Sequence, residues 1–392
     1  VTRWFLGWTL ENAVATQSMA VERPEGLDLS DPALIQRSAG NYATSCAACH
    51  GAPGVRQSPV VANMVPSPPR LKDSVVDWSD EELFWIVKNG FKYTGMPAWP
   101  AQDRDDEVWA QVAFLRALPD MTAAAYADLA LGGGAVDDDL EAGGQALAAL
   151  DGIFENTLEN CARCHGRDGL GRGQGAASGA FPIIAGQPAP YLFATLQAFA
   201  QGRRESGFMQ PPASRYDAQT LAGLAEYFAR QPGPVPDPGP VANAAKDAKT
   251  SPGATGPLVL PLDTPQDAAG ILEGDTDLGY ATVPMAAPGG TPSTPEALLA
   301  LGQRIALDGI AEAGIPSCQS CHGQGSQPQS PDFPALAGQP TWYLAESLML
   351  WREGKRGGTA FSPVMEAIAR TMTNEQIDAV SAWYSQRSRI AR

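Results

Sequence analysis

The cysteine and histidine residues of this chain fall into one pattern that occurs three times. The sequence contains six Cys and three His in 392 residues, and none lies outside the pattern C-x-x-C-H. The three copies are Cys46-Ala-Ala-Cys49-His50, Cys161-Ala-Arg-Cys164-His165 and Cys318-Gln-Ser-Cys321-His322. Because every Cys and every His is used at the same spacing, the chain must fold around three local sites of one kind.

C-x-x-C-H is the attachment signature of a covalent heme c. The two thiols add to the two vinyl groups of the porphyrin, and the adjacent imidazole binds the iron. A disulfide framework would not require a His after each Cys pair, and a zinc site needs a fourth ligand that the spacing does not supply. A thioredoxin-like C-x-x-C belongs to a βαβ unit, whereas the flanks here are helical in pattern. The sequence therefore predicts three covalently bound heme c groups, with His50, His165 and His322 as proximal iron ligands.

The distal ligand of the middle site follows by elimination. All three His are used on the proximal side, so a bis-histidine heme cannot form within this chain. Met209 is the only Met between Met121 and Met285, and no Lys lies between Lys92 and Lys246. We therefore predict Met209 as the distal ligand. Met/His ligation raises the reduction potential and leaves the iron no open position.

Nearly equal spacings predict the distal ligands of the other two sites. Met96, Met209 and Met365 follow the first Cys of their motifs by 50, 48 and 47 residues. Met64 is the alternative at the first site, although it follows Cys46 by only 18 residues. Met349 and Met372 are the alternatives at the third site, but Met in a helical pattern is more often core filler.

An internal repeat indicates how the chain is divided. Residues 181–192 (FPIIAGQPAPYL) match residues 333–344 (FPALAGQPTWYL), whereas the first motif lacks the Ala-Gly-Gln-Pro segment. The segments 121–140 and 233–294 are rich in Ala and Gly, the latter also in Pro, and we expect the longer one to run over the outside of the heme domains. The prediction is three heme domains, at 1–120, 141–232 and 295–392, joined by these two linkers.

Apolar spacing and capping residues predict helices in all three domains. Capping boxes stand at Ser79 to Glu82 and at Thr373 to Gln376, and Gly90 is a natural helix end. No alternating strand pattern is present, so the predicted fold class is all-α, with three tandem domains joined by irregular linkers. The helices are expected at 31–45, 105–118, 142–160, 188–202, 217–231, 295–310, 340–354 and 373–385.

The charge balance limits the partners. The formal net charge is −16, which excludes nucleic acid as a partner because phosphate binding needs clustered Lys and Arg. No run of 18 apolar residues is present, so the given sequence contains no membrane-spanning segment. The charge is −5 over residues 1–120, −10 over 121–295 and −1 over 296–392. We expect a redox partner to use a basic face of its own to bind the acidic first or second domain.

The motifs resemble those of two cytochrome families. Residues 141–386 are similar to the two halves of cytochrome c4, through both C-x-x-C-H-G motifs, both Ala-Gly-Gln-Pro segments, Tyr191, Tyr343, the Gly-Arg corner at 202–203 and the distal Met residues. Residues 31–118 resemble a class I single-heme cytochrome c through the first motif and Gly95-Met96-Pro97-Ala98-Trp99. Cytochrome c4 has a short connector between its halves, whereas here the linker 233–294 intervenes, which leaves the packing of the second and third domains open.

The resemblance implies an electron-transfer protein of the periplasm. It would carry single electrons as a subunit or docking partner of a membrane respiratory complex or dehydrogenase. The partners would be a membrane oxidase, a quinol-oxidising complex or a dehydrogenase, or else a small cytochrome or cupredoxin. The apolar segment 4–10 would cap a heme domain, or attach the chain to the periplasmic face of the inner membrane or to a membrane subunit. The alternative function is a heme enzyme, a peroxidase or sulfur-compound oxidising cytochrome, with one open heme. It needs an open iron or a reactive group nearby, and no Cys or His is spare.

Overall fold

The computed structural model describes residues 2–132, 157–233, 294–323 and 328–387. We refer to 2–132 as region one, to 157–233 as region two, and to 294–323 with 328–387 as region three. The described residues form helices and turns without a β-strand, and their only extended pairs are two isolated bridges, Ala52–Val55 and Ile310–Ile315. The predicted all-α class is therefore confirmed. None of the helices in these ranges is long and apolar enough to cross a bilayer.

Region one is built around the first motif. The helix Pro32–Asn41 begins where the side chain of Asp31 accepts a hydrogen bond from the backbone of Ala33, and it continues through a π-turn, Tyr42–Cys46, into the motif helix Ala47–His50. A π-turn often marks a functional position in a helix. The remaining helices are Thr2–Gln17, Ser18–Ala20, Pro59–Ala62, Leu71–Ser74, Val75–Asp77, Asp80–Asn89, Asp105–Ala117 and Ala123–Leu131.

The sequence predictions for two of these helices are confirmed, one by its caps and one by its span. Ser79 forms both hydrogen bonds of the predicted capping box with Glu82 at the start of Asp80–Asn89. That helix ends at Gly90, whose φ of 62° lies in the left-handed region that favours glycine. The closing helix Asp105–Ala117 matches the expected span 105–118 within one residue.

The helix Ala123–Leu131 differs from the irregular linker expected there. Tyr126 of this helix is buried and lies edge-on to Tyr42, with ring centroids 6.2 Å apart. Tyr42 in turn packs against Phe114 at 4.9 Å. The Ala-rich composition did not distinguish a helix from a linker, because the buried face of the helix consists of one aromatic residue, Tyr126, and two alanines, Ala127 and Ala130.

Regions two and three follow one plan. In each, a motif helix is followed by a loop and by two longer helices that pack together, and in region three a helix before the motif is also described. The helices of region two are Thr157–His165, Gly175–Ala177, Ala189–Ala200, Gln210–Ala213 and Ala218–Ala229. Those of region three are Pro295–Leu307, Ala311–Ala313, Gln319–His322, Thr341–Arg352, Ser362–Arg370 and Asn374–Ser385. The predicted helices at 188–202, 217–231, 295–310, 340–354 and 373–385 are confirmed. Part of the one at 142–160, and the long linker, lie outside the described residues.

Regions two and three pack face to face through their repeated glutamines. The side chain of Gln187 donates to the carbonyl of Ala335 and accepts from its N–H, both at 2.9 Å. Gln339 makes the equivalent pair with Ile183, at 2.7 and 2.9 Å. Each Gln comes from an Ala-Gly-Gln-Pro segment, so the repeat noticed in the sequence forms a pseudo-symmetric contact. The long linker therefore does not prevent the two regions from pairing.

Candidate heme sites

The predicted site residues lie where helices end or begin. Cys161, Cys164 and His165 close the helix Thr157–His165, and the other two motifs form short helices of their own. Met209 directly precedes the helix Gln210–Ala213. Met365 lies in the first turn of Ser362–Arg370, and Met96 lies in the loop after Gly90.

Each motif histidine is oriented by a proline carbonyl. The Nδ1 atoms of His50, His165 and His322 lie 2.9, 3.3 and 2.9 Å from the carbonyl oxygens of Pro69, Pro182 and Pro334. A carbonyl only accepts, so Nδ1 carries the proton and the Nε2 lone pair is left for a metal. The motif spacing does not predict these prolines. The one signal in the sequence is that a Phe-Pro pair recurs at 181–182 and 333–334.

The environment favours the neutral forms of the three imidazoles and of three of the thiols. Burial lowers the pKa of all three imidazoles, that of His165 to about 4, and a neutral imidazole is the form that binds iron. Burial likewise raises the pKa of Cys46, Cys161 and Cys318 to about 12. None of the six Cys forms a disulfide, so all six are available for thioether bonds. The donor set fits heme c at each motif.

The second and third sites open into one cavity. Its volume is about 350 Å³, and its walls include both C-x-x-C-H motifs. Met209 and Met365 also line it, so the structure brings each of them into the same cavity as its predicted partner, His165 or His322. Met372 touches the cavity as well, but it is 5% exposed and belongs to the apolar core of region three, as core filler would.

The walls of this cavity carry buried positive charge. Arg204 and Arg356 are 9% and 7% exposed, and in the described part of the chain neither forms an ion pair with a carboxylate. Burial would raise the pKa of Tyr343, but Arg356 and Arg204 outweigh that effect and lower it to about 7. The two guanidinium groups therefore suit the propionates of bound heme. Arg203, by contrast, is exposed, and it donates to the carbonyl of Gly358.

The first site is enclosed by two loops. Besides the His50 contact, Gln57 donates to the carbonyls of Cys49 and Pro68, at 2.8 and 2.9 Å, which holds the loop over the motif. Met64 of this loop reaches the segment of Met96, because its methyl carbon lies 3.0 Å from where a Cβ on Gly95 would stand. Met64 therefore lies beside the residue next to Met96. This contact does not distinguish which of the two methionines would be the distal ligand of the first heme.

Region one is joined to regions two and three by a buried charge cluster. Arg104 lies 2.7 Å from Asp106, 3.1 Å from Glu107 and 2.7 Å from Glu346 of region three. It also donates to the carbonyl of Glu205 in region two, at 3.1 Å. One guanidinium thus contacts all three regions. The sequence did not reveal this role, because Asp105-Asp106-Glu107 has the pattern of an ordinary acidic first turn.

An aromatic contact lies beside this cluster. The ring of Trp99, three residues after Met96, meets the ring of Phe208, which precedes Met209, with centroids 5.5 Å apart in an edge-on arrangement. A Cβ on Gly207 would stand 2.3 Å from a Trp99 ring atom, so only glycine fits there. The predicted distal segments of sites one and two are therefore in direct contact.

Comparison with known proteins agrees with these features. The family model "Cytochrome C oxidase, cbb3-type, subunit III" matches residues 33–115, and the model "Cytochrome c" matches residues 299–387. A "Cytochrome c-554(548)" of Halomonas halodenitrificans is 38% identical over 81 residues, which are 20% of this chain and 95% of that protein.

Two longer relatives cover more of the chain. The "Thiosulfate dehydrogenase electron acceptor" of Thiomonas intermedia is 28% identical over 225 residues, 57% of this chain and 76% of that protein. The cytochrome c4 of Pseudomonas aeruginosa is 27% identical over 243 residues, 62% of this chain and 86% of that protein.

The chain belongs to the c-type cytochromes and carries three heme c groups, one at each motif. It is homologous to cytochrome c4 and to a thiosulfate dehydrogenase electron acceptor. The resemblance predicted from the motifs is confirmed.

Proposed function

We propose that this cytochrome carries single electrons in the periplasm between a redox donor and an acceptor, as a subunit or docking partner of a dehydrogenase or membrane respiratory complex. The observation that supports this most is the shared cavity, where two His–Met pairs open into one space. Heme supplies a one-electron iron couple at each site. The protein's own part is to hold the imidazole and thioether ligands in place and to keep water away from them.

The proposed iron ligands are the pairs His50–Met96, His165–Met209 and His322–Met365. Fixed axial ligands suit electron transfer, because a site that keeps its ligation needs little rearrangement when charge moves. A ligand-filled iron also has no position for a substrate, so the peroxidase alternative is disfavoured. The domain division 1–120, 141–232 and 295–392 is part of this proposal.

The donor is proposed to be a dehydrogenase. This proposal rests on the similarity to the protein from Thiomonas intermedia that is named as an electron acceptor of thiosulfate dehydrogenase. A membrane partner, or attachment through the segment 4–10, belongs to the same proposal, and helix Thr2–Gln17 is the element that would make the contact.

A reductive titration combined with ligand binding tests the function. The purified cytochrome is expected to take up three electrons, to give them to a second electron carrier, and to bind no carbon monoxide when reduced. Peroxide turnover, or carbon monoxide binding at one heme, would support the heme-enzyme alternative instead. Purification of the chain from its native membrane and periplasm would identify the partner that travels with it.

A further inference from the structure

A buried carboxylate of region one has four donors aimed at its two oxygens. Glu107 is 3% exposed. Its Oε1 accepts from the hydroxyl of Ser206 at 2.5 Å and lies 3.1 Å from Arg104. Its Oε2 accepts from the backbone N–H of Gly207 at 2.5 Å and from the indole N–H of Trp99 at 3.3 Å. The carboxylate therefore joins a residue of region one to two residues of region two.

Both ends of this network lead to a predicted distal ligand. The hydroxyl of Ser206 accepts from the backbone N–H of Met209 at 3.0 Å, so two hydrogen bonds connect Glu107 with the segment of the middle heme. On the other side, Trp99 follows Met96 by three residues. One side chain thus touches the ligand segments of two different hemes.

The third site is held in a different way. There the hydroxyls of Thr359 and Ser362 lie 2.8 Å apart, and the N–H of Thr359 donates to the Ser362 hydroxyl at 3.2 Å. The N–H of Met365 bonds to the carbonyl of Phe361 at 3.5 Å. All of these groups belong to region three, so the segment of Met365 is supported from within its own region.

Three of the four donors around Glu107 have no capacity to accept a hydrogen bond. The backbone N–H of Gly207, the indole N–H of Trp99 and the guanidinium of Arg104 can donate but cannot accept. An amide at position 107 would turn its NH₂ group either toward Arg104 and Ser206 or toward the N–H groups of Gly207 and Trp99. The substitution Glu107→Gln therefore keeps the size of the side chain and breaks part of the network.

We propose that Glu107 is a positioning residue that holds the distal-ligand segments of the first and middle hemes against each other. This inference rests on the proposed ligands Met96 and Met209. Through the contacts of Glu107, the packing of region one influences the distal ligand of the heme that region two binds.

The test follows the methionine–iron absorption band of the oxidised protein and the potential of each heme. Glu107→Gln is expected to lose part of the band, up to the two thirds that the first and middle hemes supply, and to lower the potential of the middle heme. Met209→Ala shows which titration component belongs to that heme. Ser206→Ala removes both bonds of that hydroxyl, the one to Glu107 and the one from the Met209 backbone, and is expected to shift the same component, so it serves if Glu107→Gln does not fold.

Ser362→Ala is the matched control, since it removes the hydroxyl three residues before Met365, which bonds to Thr359 within region three, and it is expected to leave the first and middle hemes unchanged. If Ser206→Ala and Glu107→Gln keep the full band and all three potentials, the inference is overturned while the proposed function stands. If the unmodified protein shows no methionine band for the middle heme, both the ligand assignment and the inference are overturned.

Discussion

Replacing Arg104 tests whether the charge cluster holds the three regions together. The side chain of Arg104 is 12% exposed and its partners Glu107 and Glu346 are 3% and 18% exposed, so Arg104→Met would remove the nearest cation from both carboxyl groups, and only Glu346 would keep the influence of a second cation, Arg37. Breaking a buried ion pair in this way costs about 3–5 kcal/mol. That is a large share of the total stability of a domain, which is about 5–15 kcal/mol.

The loss is expected to depend on pH. Burial raises the pKa of Glu107, and Arg104 is the strongest influence that lowers it. Without Arg104 this pKa rises further above the unfolded value of about 4.3. A carboxyl with a raised pKa in the folded state favours folding while it is protonated, and that stability is lost as the pH rises through the folded pKa. The deficit of Arg104→Met relative to the unmodified protein should therefore be larger at pH 7 than at pH 5.

The free energy of unfolding of each variant is measured at both pH values by unfolding in guanidinium chloride, monitored by far-ultraviolet circular dichroism. Arg70→Met is the matched control, because Arg70 and Asp73 form an exposed pair, 51% and 67% exposed, which should be worth about 0–1 kcal/mol. Equal stabilities for the two variants, or an Arg104→Met deficit that does not change between pH 5 and pH 7, would refute the reasoning.

Three further predictions concern the hemes and the partner. Met209→Ala should open the middle iron, so that one carbon monoxide binds per reduced chain, which spectroscopy can count. At the first site, Met96→Ala should abolish a methionine–iron band and Met64→Ala should not; the reverse result would exchange their roles. Reduction by a protein donor should slow as salt rises, because screening shortens the Debye length from about 30 Å at 0.01 M to about 8 Å at 0.15 M. A salt-independent rate would contradict electrostatic docking.

The local features of this protein were readable from the sequence. The C-x-x-C-H motifs place both thioethers and the proximal imidazole within five residues, so their geometry hardly depends on the rest of the chain. The capping box at Ser79 is equally local, and the structure forms both of its hydrogen bonds. The predicted distal ligands rest on spacing, and the structure brings Met209 and Met365 into the shared cavity with their histidines.

Contacts between regions were not readable in the same way. The repeat made Gln187 and Gln339 visible, but not that each would bind the backbone of the other region. Glu107 has the sequence position of a solvated acidic first turn, and in the fold it is buried between residues of its own region and Ser206 and Gly207 of region two. Such contacts depend on how two separate surfaces meet. The local spacing of apolar residues along the sequence carries no information about that.

Near-infrared magnetic circular dichroism of the oxidised protein tests the central claim most directly, because it reports the axial ligands of each heme. The proposed ligand set predicts that all three hemes show methionine–histidine ligation in one native molecule. A heme with an open position, or with a ligand other than methionine opposite its histidine, would contradict it.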